Sequence, residues 1–328
     1  MNNINTSFKN STEWNVQTNY SCFYLTRFLI YDQEPLRISL IVNCALNVFL
    51  SITAIVGNMS ILWALKRCSQ SLRPPSKALL CSLSLSDLAV GVLVQPLYVA
   101  YKVAEMSDHF RIFCIAGIGF HLSANVFQAV SFLTVTAISL DRLLALYLQT
   151  AYNAKIYQRR AWILVFLLWS SASLWVVTWF INITIYQIFN VTSVCICLVI
   201  CASAYIKLQI RLRKRQTVIK CRLRTHDQNE PQGIVKIHTP HLHLYRRSVT
   251  TMFYIYILLI LCYAPYWLMF IVIQITGRSS TKIAALSFSM TLLFANVSVN
   301  PFLYCWRIHE VRKEIVRILD RMRCRKQP

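Results

Sequence analysis

The chain has 328 residues, of which 56% are hydrophobic and only 14% are charged, and its mean hydropathy is +0.48. Soluble domains carry roughly a quarter charged residues, so this composition excludes an ordinary soluble domain and indicates a membrane protein. The net charge of +22 does not indicate nucleic-acid binding, because the basic residues flank apolar segments and suit the anionic inner leaflet of a membrane.

Seven apolar segments are long enough to cross a bilayer, which takes about 20 residues. Runs of this length indicate helices, since helices satisfy their own backbone hydrogen bonds in lipid. We therefore predict an all-α membrane protein, a seven-transmembrane helix bundle with a C-terminal amphipathic helix. The predicted spans 1 to 7 are residues 38–65, 77–101, 112–146, 160–182, 184–211, 248–275 and 283–306.

Lys and Arg residues predict the orientation of these spans. If the N-terminus is outside, 27 of the 34 lie on the inner side, as membrane topology favours. We expect a multi-pass plasma-membrane protein with a glycosylated extracellular tail over residues 1–37, the bundle over 38–306 and a cytoplasmic helix and tail over 307–328. The tail offers three Asn-x-Ser/Thr acceptors, at Asn5, Asn10 and Asn19.

The twelve cysteines do not form a disulfide framework, because most of them lie in spans. Only Cys22 and Cys114 are clearly on the oxidising side, so these two either pair or stay free. Cys324 follows an amphipathic pattern of Ile and Val residues near the C-terminus. This pattern predicts an interfacial helix and makes Cys324 a palmitoylation candidate.

Polar residues inside the first three spans are the candidate functional groups. In span 1, the buried amide of Asn58 needs partners, most simply carbonyl groups of a neighbouring helix. Asp87 is the only acid deep in any span, and such a carboxylate predicts cation binding or proton transfer. Pro96 predicts a kink above Asp87. Span 3, with a polar upper half and Asp141-Arg142 at its inner end, is predicted to be the centre of the bundle.

The remaining spans carry a Trp, a Tyr and two prolines at membrane depth. Trp169 lies in the middle of span 4 and Tyr205 near the inner end of span 5. The basic segment 212–247 is either flexible or an extension of spans 5 and 6. Pro265 in span 6 and Pro301 in span 7 interrupt the helical hydrogen bonds, which predicts a bundle that changes shape.

These residues together resemble the rhodopsin family (class A) of G-protein-coupled receptors. The resemblance covers all seven spans and is specific because each motif occurs in its own span, in order. The matching residues are Gly57-Asn58, Leu83-Ser84-Leu85-Ser86-Asp87, Asp141-Arg142, Trp169, Tyr205, Cys262-x-x-Pro265 and Asn300-Pro301-x-x-Tyr304. A very short second outer loop without cysteine and a span 5 without proline resemble the melanocortin receptors within that family.

The resemblance implies a receptor that activates heterotrimeric G proteins when span 6 moves outward. Asp141 would hold Arg142 in the resting state, and Tyr205 and Tyr304 would close around Arg142 in the active one, with Asn300-Pro301 as part of the switch. The resemblance also implies a sodium ion at Asp87, which is the one metal expected, with no other cofactor. Ser131, Asn296 and Asn300 would be its neighbours; Ser131 lies three helical turns above Arg142.

The ligand is only partly constrained. The family's amine receptors use an Asp where this chain has Ala124, its opsins use a Lys where it has Phe294, and the acidic cluster of melanocortin receptors is missing. We expect a neutral small molecule or a lipid-like ligand from the extracellular side. The residues predicted to line its pocket are His121, Asn125, Gln128, Tyr263, Trp267, Gln95 and Gln274.

Three departures from the family pattern leave alternatives open. Leu143 follows Asp141-Arg142 where the family has Tyr, Tyr263 replaces the usual Trp, and Cys197 stands near the place of the span 5 proline. A constitutively active or non-coupling receptor is one alternative. An ion-coupled transporter or channel that uses Asp87 is the other, although no internal repeat is visible. No catalytic motif is present, so we do not expect an enzyme.

Overall fold

The structure is a computed structural model that describes residues 36–67, 74–148, 154–229 and 240–324. Seven of its helices are long and apolar enough to cross a membrane, which confirms the predicted seven-span helical bundle. The spans are Arg37–Arg67; Pro74–Ala89, Val90–Val94 and Gln95–Met106; Phe110–Leu148; Ala154–Ile181; Ile183–Asn229; Pro240–Thr276; and Ser280–Arg307.

The C-terminal helix covers His309–Cys324. Val311 is completely buried, and Ile308 and Ile315 pack against the main core, as the spacing of these apolar residues predicts. The bases on its other face suit a position at the membrane surface. Span 5 continues as a helix to Asn229 and span 6 begins at Pro240. Residues 212–229 and 240–247 thus extend these helices, as the second alternative for segment 212–247 predicts, and residues 230–239 lie outside the described residues.

Spans 2 and 7 are the most buried, with 67% of their apolar window inside the bundle against 22% for span 3. Span 3 nevertheless contacts spans 2, 4, 5 and 6, so it is central by its neighbours rather than by its burial. Its upper half is only half-buried because residues 121–129 border cavities. The bundle is therefore tight around spans 1, 2 and 7 and more open around spans 3 to 6.

Buried amides and hydroxyls join spans 1, 2 and 7. Asn43 and Asn47 each donate from Nδ2 to Thr291 Oγ1, at 2.8 and 2.9 Å, and the Tyr98 hydroxyl donates to Asn43 Oδ1 at 2.9 Å. Asn58 donates to the carbonyl groups of Ala54 and Val297, which confirms the predicted kind of partner. In lipid these bonds fix how the helices are rotated against one another.

The distortion that Pro96 causes in span 2 is a π-helical turn rather than a simple kink. The five residues Val90–Val94 are a π-helix, and the Gln95 N–H donates to the Val90 carbonyl group five residues earlier. Proline lacks an N–H and disturbs the turn before it, and one π-turn accommodates the disturbance. Ser51 donates to the Gly91 carbonyl group at 2.8 Å, so the widened turn is held by span 1.

The connection between spans 4 and 5 is the single residue Asn182. Its N–H donates to the Thr178 carbonyl group, its own carbonyl group accepts from Tyr186 N–H, and its Oδ1 accepts from Ile185 N–H. The predicted short outer loop is therefore observed. Likeness to the melanocortin receptors stays a prediction.

We expect Gly57→Ala to destabilise the bundle by about 1–3 kcal/mol, the usual cost of overpacking a core. A Cβ atom at Gly57 would lie 2.8 Å from Pro301 Cγ, and because both helices are fixed by buried hydrogen bonds, spans 1 and 7 would have to separate. Thermal unfolding of the purified protein measures the effect. Gly119→Ala is the matched control, since its Cβ would lie 3.4 Å from Leu97 Cδ1. Equal unfolding temperatures for the two variants would contradict the argument.

Candidate functional site

Asp87 lies at the centre of the membrane-buried polar site. It is completely buried, and Asn300 of span 7 donates from Nδ2 to Asp87 Oδ2 at 2.8 Å. Ser131 of span 3 faces the same carboxylate, and its Oγ lies 3.1 Å from Ser86 Oγ. The structure therefore brings together spans 2, 3 and 7 around one carboxylate, as the sequence predicts.

Several buried oxygens in this region have no hydrogen-bond partner among the described residues. They include Asp87 Oδ1, Asn296 Oδ1 and Asn300 Oδ1. A buried acceptor without a partner costs about 1–3 kcal/mol. Hard cations take oxygen ligands of these kinds, so the carboxylate, amide and hydroxyl oxygens here fit a sodium ion. Within the described residues there is no group of three or more His, Cys, Asp and Glu side chains that could hold a metal.

A cavity of about 60 Å³ lies between spans 2, 3, 6 and 7. Four predicted pocket residues line it, namely His121, Asn125, Gln128 and Tyr263, and Ser131 and Asn296 of the polar site line it as well. The cavity of the predicted ligand pocket thus borders the polar site through Ser131 and Asn296, while Asp87 itself does not line it. Its volume is far below that of ligand pockets, which measure about 300–1,000 Å³. A ligand of ordinary size would need the helices to move apart.

Three other predicted pocket residues do not line this cavity. Gln274 is exposed, because it lies eleven residues after Tyr263 and so about 16 Å farther along the helix. Trp267 packs beside Tyr266, with ring centroids 5.4 Å apart, and Tyr266 lines the cavity instead. Gln95 is completely buried, and both polar atoms of its amide lack a partner within the described parts of the chain.

Asp141 and Arg142 form the predicted pair at the inner end of span 3. Arg142 Nε lies 3.9 Å from Asp141 Oδ2, with both side chains 11% exposed. Ser76 of span 2 donates to the same Oδ2 atom at 3.3 Å. Leu143, the departure from the family pattern, packs against Leu208 and Leu212 of span 5. An apolar contact thus fixes the residue where the family has a tyrosine.

The inner end of span 6 is held by aromatic contacts. Phe253 stacks on Tyr205 of span 5 at 4.6 Å, and Tyr254 packs on Trp306 of span 7 at 5.5 Å. Such pairs contribute about 0.5–1.5 kcal/mol each. Only 17% of the apolar window of span 6 is buried, the smallest fraction among the seven spans that the structure describes. Most residues of this span therefore keep some exposed surface, and its inner end is joined to spans 5 and 7 by these aromatic pairs.

The two tyrosines that the resemblance assigns to the switch have different surroundings. Tyr205 accepts a hydrogen bond from Gln209 Nε2 at 2.8 Å. Tyr304 is 1% exposed, and its hydroxyl has no partner in the part of the chain that the structure describes. Since a buried hydroxyl is stabilised by a hydrogen bond, Tyr304 is suited to gain one when the helices rearrange. Trp169 of span 4 donates from Nε1 to Ser82 Oγ at 3.0 Å and so ties span 4 to span 2.

Sequence reasoning missed a buried ion pair at the outer end of span 2. Lys102 Nζ lies 2.7 Å from Glu105 Oε2, and their side chains are 4% and 0% exposed. The Lys102 ammonium also lies 5.1 Å from the centre of the Tyr101 ring. Opposite charges three residues apart on a helix are a recognised pairing signal. That spacing, together with the apolar neighbours, would have predicted the pair.

The disulfide and the modification sites are described only in part. Cys114 is disulfide-bonded, whereas Cys22 lies outside the described residues, so its pairing with Cys114 stays a prediction. Asn5, Asn10 and Asn19 lie outside them too. Cys324 ends the C-terminal helix, and its palmitoylation stays a prediction.

Comparison with known proteins supports the family that these motifs resemble. Residues 57–199 match the family model described as 7 transmembrane receptor (rhodopsin family). The matched region contains Asn58, Asp87, Asp141-Arg142 and Trp169 in spans 1 to 4, with the geometry given above. Over residues 57–199, which are less than half of its length, the chain is similar to the rhodopsin family of seven-transmembrane receptors.

Individual members of the rhodopsin family match over shorter lengths. Adenosine receptor A3 of Ovis aries is 32% identical over 123 residues, which are 38% of this chain and 37% of that protein. Adenosine receptor A3 of Bos taurus is 29% identical over 125 residues, 38% of each chain. 5-hydroxytryptamine receptor 1 of Drosophila melanogaster is 35% identical over 104 residues, 32% of this chain and 18% of that protein. The chain thus matches less than two fifths of the length of these relatives.

Proposed function

We propose that this protein binds a neutral small molecule or a lipid-like ligand from the extracellular side and activates heterotrimeric G proteins. The observation that carries the proposal is the Asp141–Arg142 pair at the inner end of span 3. The pair lies in a bundle whose span 6 is weakly buried and held at its inner end by aromatic contacts. Outward movement of span 6 would open a surface beside Arg142 for the G protein.

The lining of the central cavity supports a neutral ligand. His121, Asn125, Gln128 and Tyr263 offer hydrogen-bonding groups, and no Lys, Arg, Asp or Glu lines the cavity as the structure describes it. A charged ligand group would be costly to bury there without an opposite charge. Two of the relatives above are named adenosine receptors, and adenosine is a neutral small molecule. The name of the 5-hydroxytryptamine receptor points to an amine, for which Ala124 offers no counter-charge.

We further propose that a sodium ion binds at Asp87 and favours the resting arrangement. Asp87, Asn296 and Asn300 each have a buried oxygen without a hydrogen-bond partner among the described residues, and the Ser131 hydroxyl lies beside the same carboxylate. A cation that binds one arrangement more tightly than the other shifts the equilibrium toward it. Because Ser131 and Asn296 also line the central cavity, a ligand there would act on the ion's surroundings directly.

The test of G-protein activation is nucleotide exchange by Arg142→Ala in membranes without added ligand and without sodium. We expect receptor-dependent exchange to fall at least tenfold, because hydrogen bonds to a charged group contribute about 1.5–3 kcal/mol and 1.4 kcal/mol is tenfold. Arg159→Ala, an exposed base at the inner end of span 4, is the control and should keep its exchange rate.

Two results would contradict the proposal. Exchange by Arg142→Ala equal to that of the wild type would remove Arg142 from the switch. Sodium flux through reconstituted vesicles that disappears in Asp87→Asn, with no exchange by any G-protein class, would favour the ion-coupled transporter. High exchange without ligand that persists in sodium would instead indicate the constitutively active receptor.

A further inference from the structure

A second cavity, of about 200 Å³, lies on the lipid-facing side of spans 3, 4 and 5. It is larger than the central cavity of about 60 Å³. Ser171 of span 4 and Ser193 of span 5 line it and are exposed on the bundle surface. Because that surface faces the hydrocarbon of the bilayer, the cavity opens to lipid rather than to water.

Two amide side chains in this cavity have no hydrogen bond within the described residues. Gln128 of span 3 and Asn190 of span 5 both line it and are half-buried. The two serines of the cavity, in contrast to these amides, are hydrogen-bonded. Ser171 and Ser193 donate to the Leu168 and Phe189 carbonyl groups of their own helices. A polar group in hydrocarbon without a partner is strongly disfavoured. The amides therefore need a partner from outside the protein.

The cavity is polar at the top and apolar below. Asn190 lies five residues inside the outer end of the span 5 window, or about 7 Å along the helix. Beside it Trp175 packs on Phe189, with ring centroids 5.1 Å apart. Phe132, Val194 and Cys197 line the cavity toward the middle of the membrane. This order matches an amphiphile of the outer leaflet, with its head group near the surface and its chain pointing inward.

The lining also defines the charge of the occupant. None of the described residues that line the cavity is charged, so a carboxylate, phosphate or ammonium group would have no counter-charge there. Amides donate and accept and so match a hydroxyl or amide head group. The volume is below the usual 300–1,000 Å³ of a complete ligand pocket. The cavity therefore suits a head group and part of a chain, with the rest of the chain in the bilayer.

We propose that this cavity binds a neutral amphiphile from the outer leaflet through hydrogen bonds to Gln128 and Asn190. Gln128 also lines the central cavity, so its side chain separates the two spaces and a rotamer change would connect them. The connection at Asn182 places no long loop between spans 4 and 5 above the cavity. Binding of the amphiphile is inferred from the residues of this cavity alone. Its use as an entry route for ligand rests on the proposed receptor function.

The test is photolabelling of the purified protein in phosphatidylcholine nanodiscs. The probe is a monoacylglycerol with a diazirine in its acyl chain, and labelled peptides are mapped by mass spectrometry. We expect labels concentrated on spans 3, 4 and 5 and at least fivefold less labelling in the double variant Gln128→Leu/Asn190→Leu. A probe of the same chain length with a carboxylate head should label these spans several-fold less than the monoacylglycerol.

A second pair of variants tests the site without touching its amides. Ser193→Phe fills the mouth of the cavity and should lower labelling at least fivefold. Ile196→Phe, which is also lipid-facing on span 5 but outside the lining, should not change labelling. Both positions are exposed, so folding should be preserved even if the double variant fails to fold.

Labels spread evenly over all lipid-facing surfaces would overturn the proposal. So would equal labelling by the carboxylate probe, or no effect of Ser193→Phe. The measurement contains no G protein. A failed exchange experiment therefore leaves the binding result intact, and the absence of a binding site leaves the exchange result intact.

Discussion

Lys102→Met should destabilise the protein by about 3–5 kcal/mol, the usual cost of removing one partner of a buried ion pair. The Glu105 side chain is 0% exposed and would lose an ammonium group at 2.7 Å. The Glu105 carboxylate would then stay buried without this counter-charge. Thermal and denaturant unfolding in detergent would show the loss as a lower midpoint.

The double variant Lys102→Met/Glu105→Leu shows whether the loss of stability comes from the buried charge of Glu105 or from lost packing around Lys102. Replacing both charges by apolar groups often costs little or even stabilises, so the double variant should recover most of the loss. Arg317→Met is the matched control. It breaks the Arg317–Glu314 pair at the same three-residue spacing, but Arg317 is 64% exposed, and exposed pairs contribute about 0–1 kcal/mol. A double variant as unstable as Lys102→Met would contradict this account.

The ion pair lies next to His121, one of the predicted ligand residues. Lys102 lines a small space beside His121 together with Ile283 and Ser287 of span 7. His121 lines the central cavity as well. Loss of Lys102 would therefore loosen the outer contacts among spans 2, 3 and 7, next to the predicted ligand residues, and ligand binding should weaken together with stability.

Asp87→Asn should abolish stabilisation by sodium. For a single site, an ion that binds only the folded protein adds about 2.7 kcal/mol to its stability at 100 times its dissociation constant. The wild type should therefore unfold at a higher temperature as sodium rises, and the variant should not. Asparagine keeps an oxygen that can accept the hydrogen bond from Asn300 Nδ2, so the variant removes the charge with little change in packing.

Choline chloride at equal ionic strength is the control for screening by salt. It should not reproduce the sodium effect in the wild type. Stabilisation by choline equal to that by sodium, or an unchanged sodium response in Asp87→Asn, would exclude an ion at this site. Asn296→Leu removes one of the proposed oxygens, whose buried Oδ1 has no partner among the described residues. It should shift the response to higher sodium concentration without abolishing it.

The sequence motifs predicted the residues of the polar site better than those of the ligand pocket. Asp87 and Asn300 were expected together and form a 2.8 Å hydrogen bond. A lone carboxylate at membrane depth is costly unless it is paired or hydrated, so a polar neighbour of Asp87 was to be expected. Gln274 and Trp267 were expected in the pocket because they follow Tyr263 on span 6. Neither of them lines the cavity.

The sequence by itself determined that this is a helical membrane protein with seven spans, and it indicated the polar residues that lie at membrane depth. Composition and length decide whether a segment prefers lipid, and no tertiary contact changes that preference. Only the tertiary structure decided which face of each span turns inward. A span that is apolar all round carries no stripe to show its inner face, so side-chain packing and buried hydrogen bonds fix its rotation. That rotation buried Lys102 with Glu105 and left Gln128 between the central and the lipid-facing cavities.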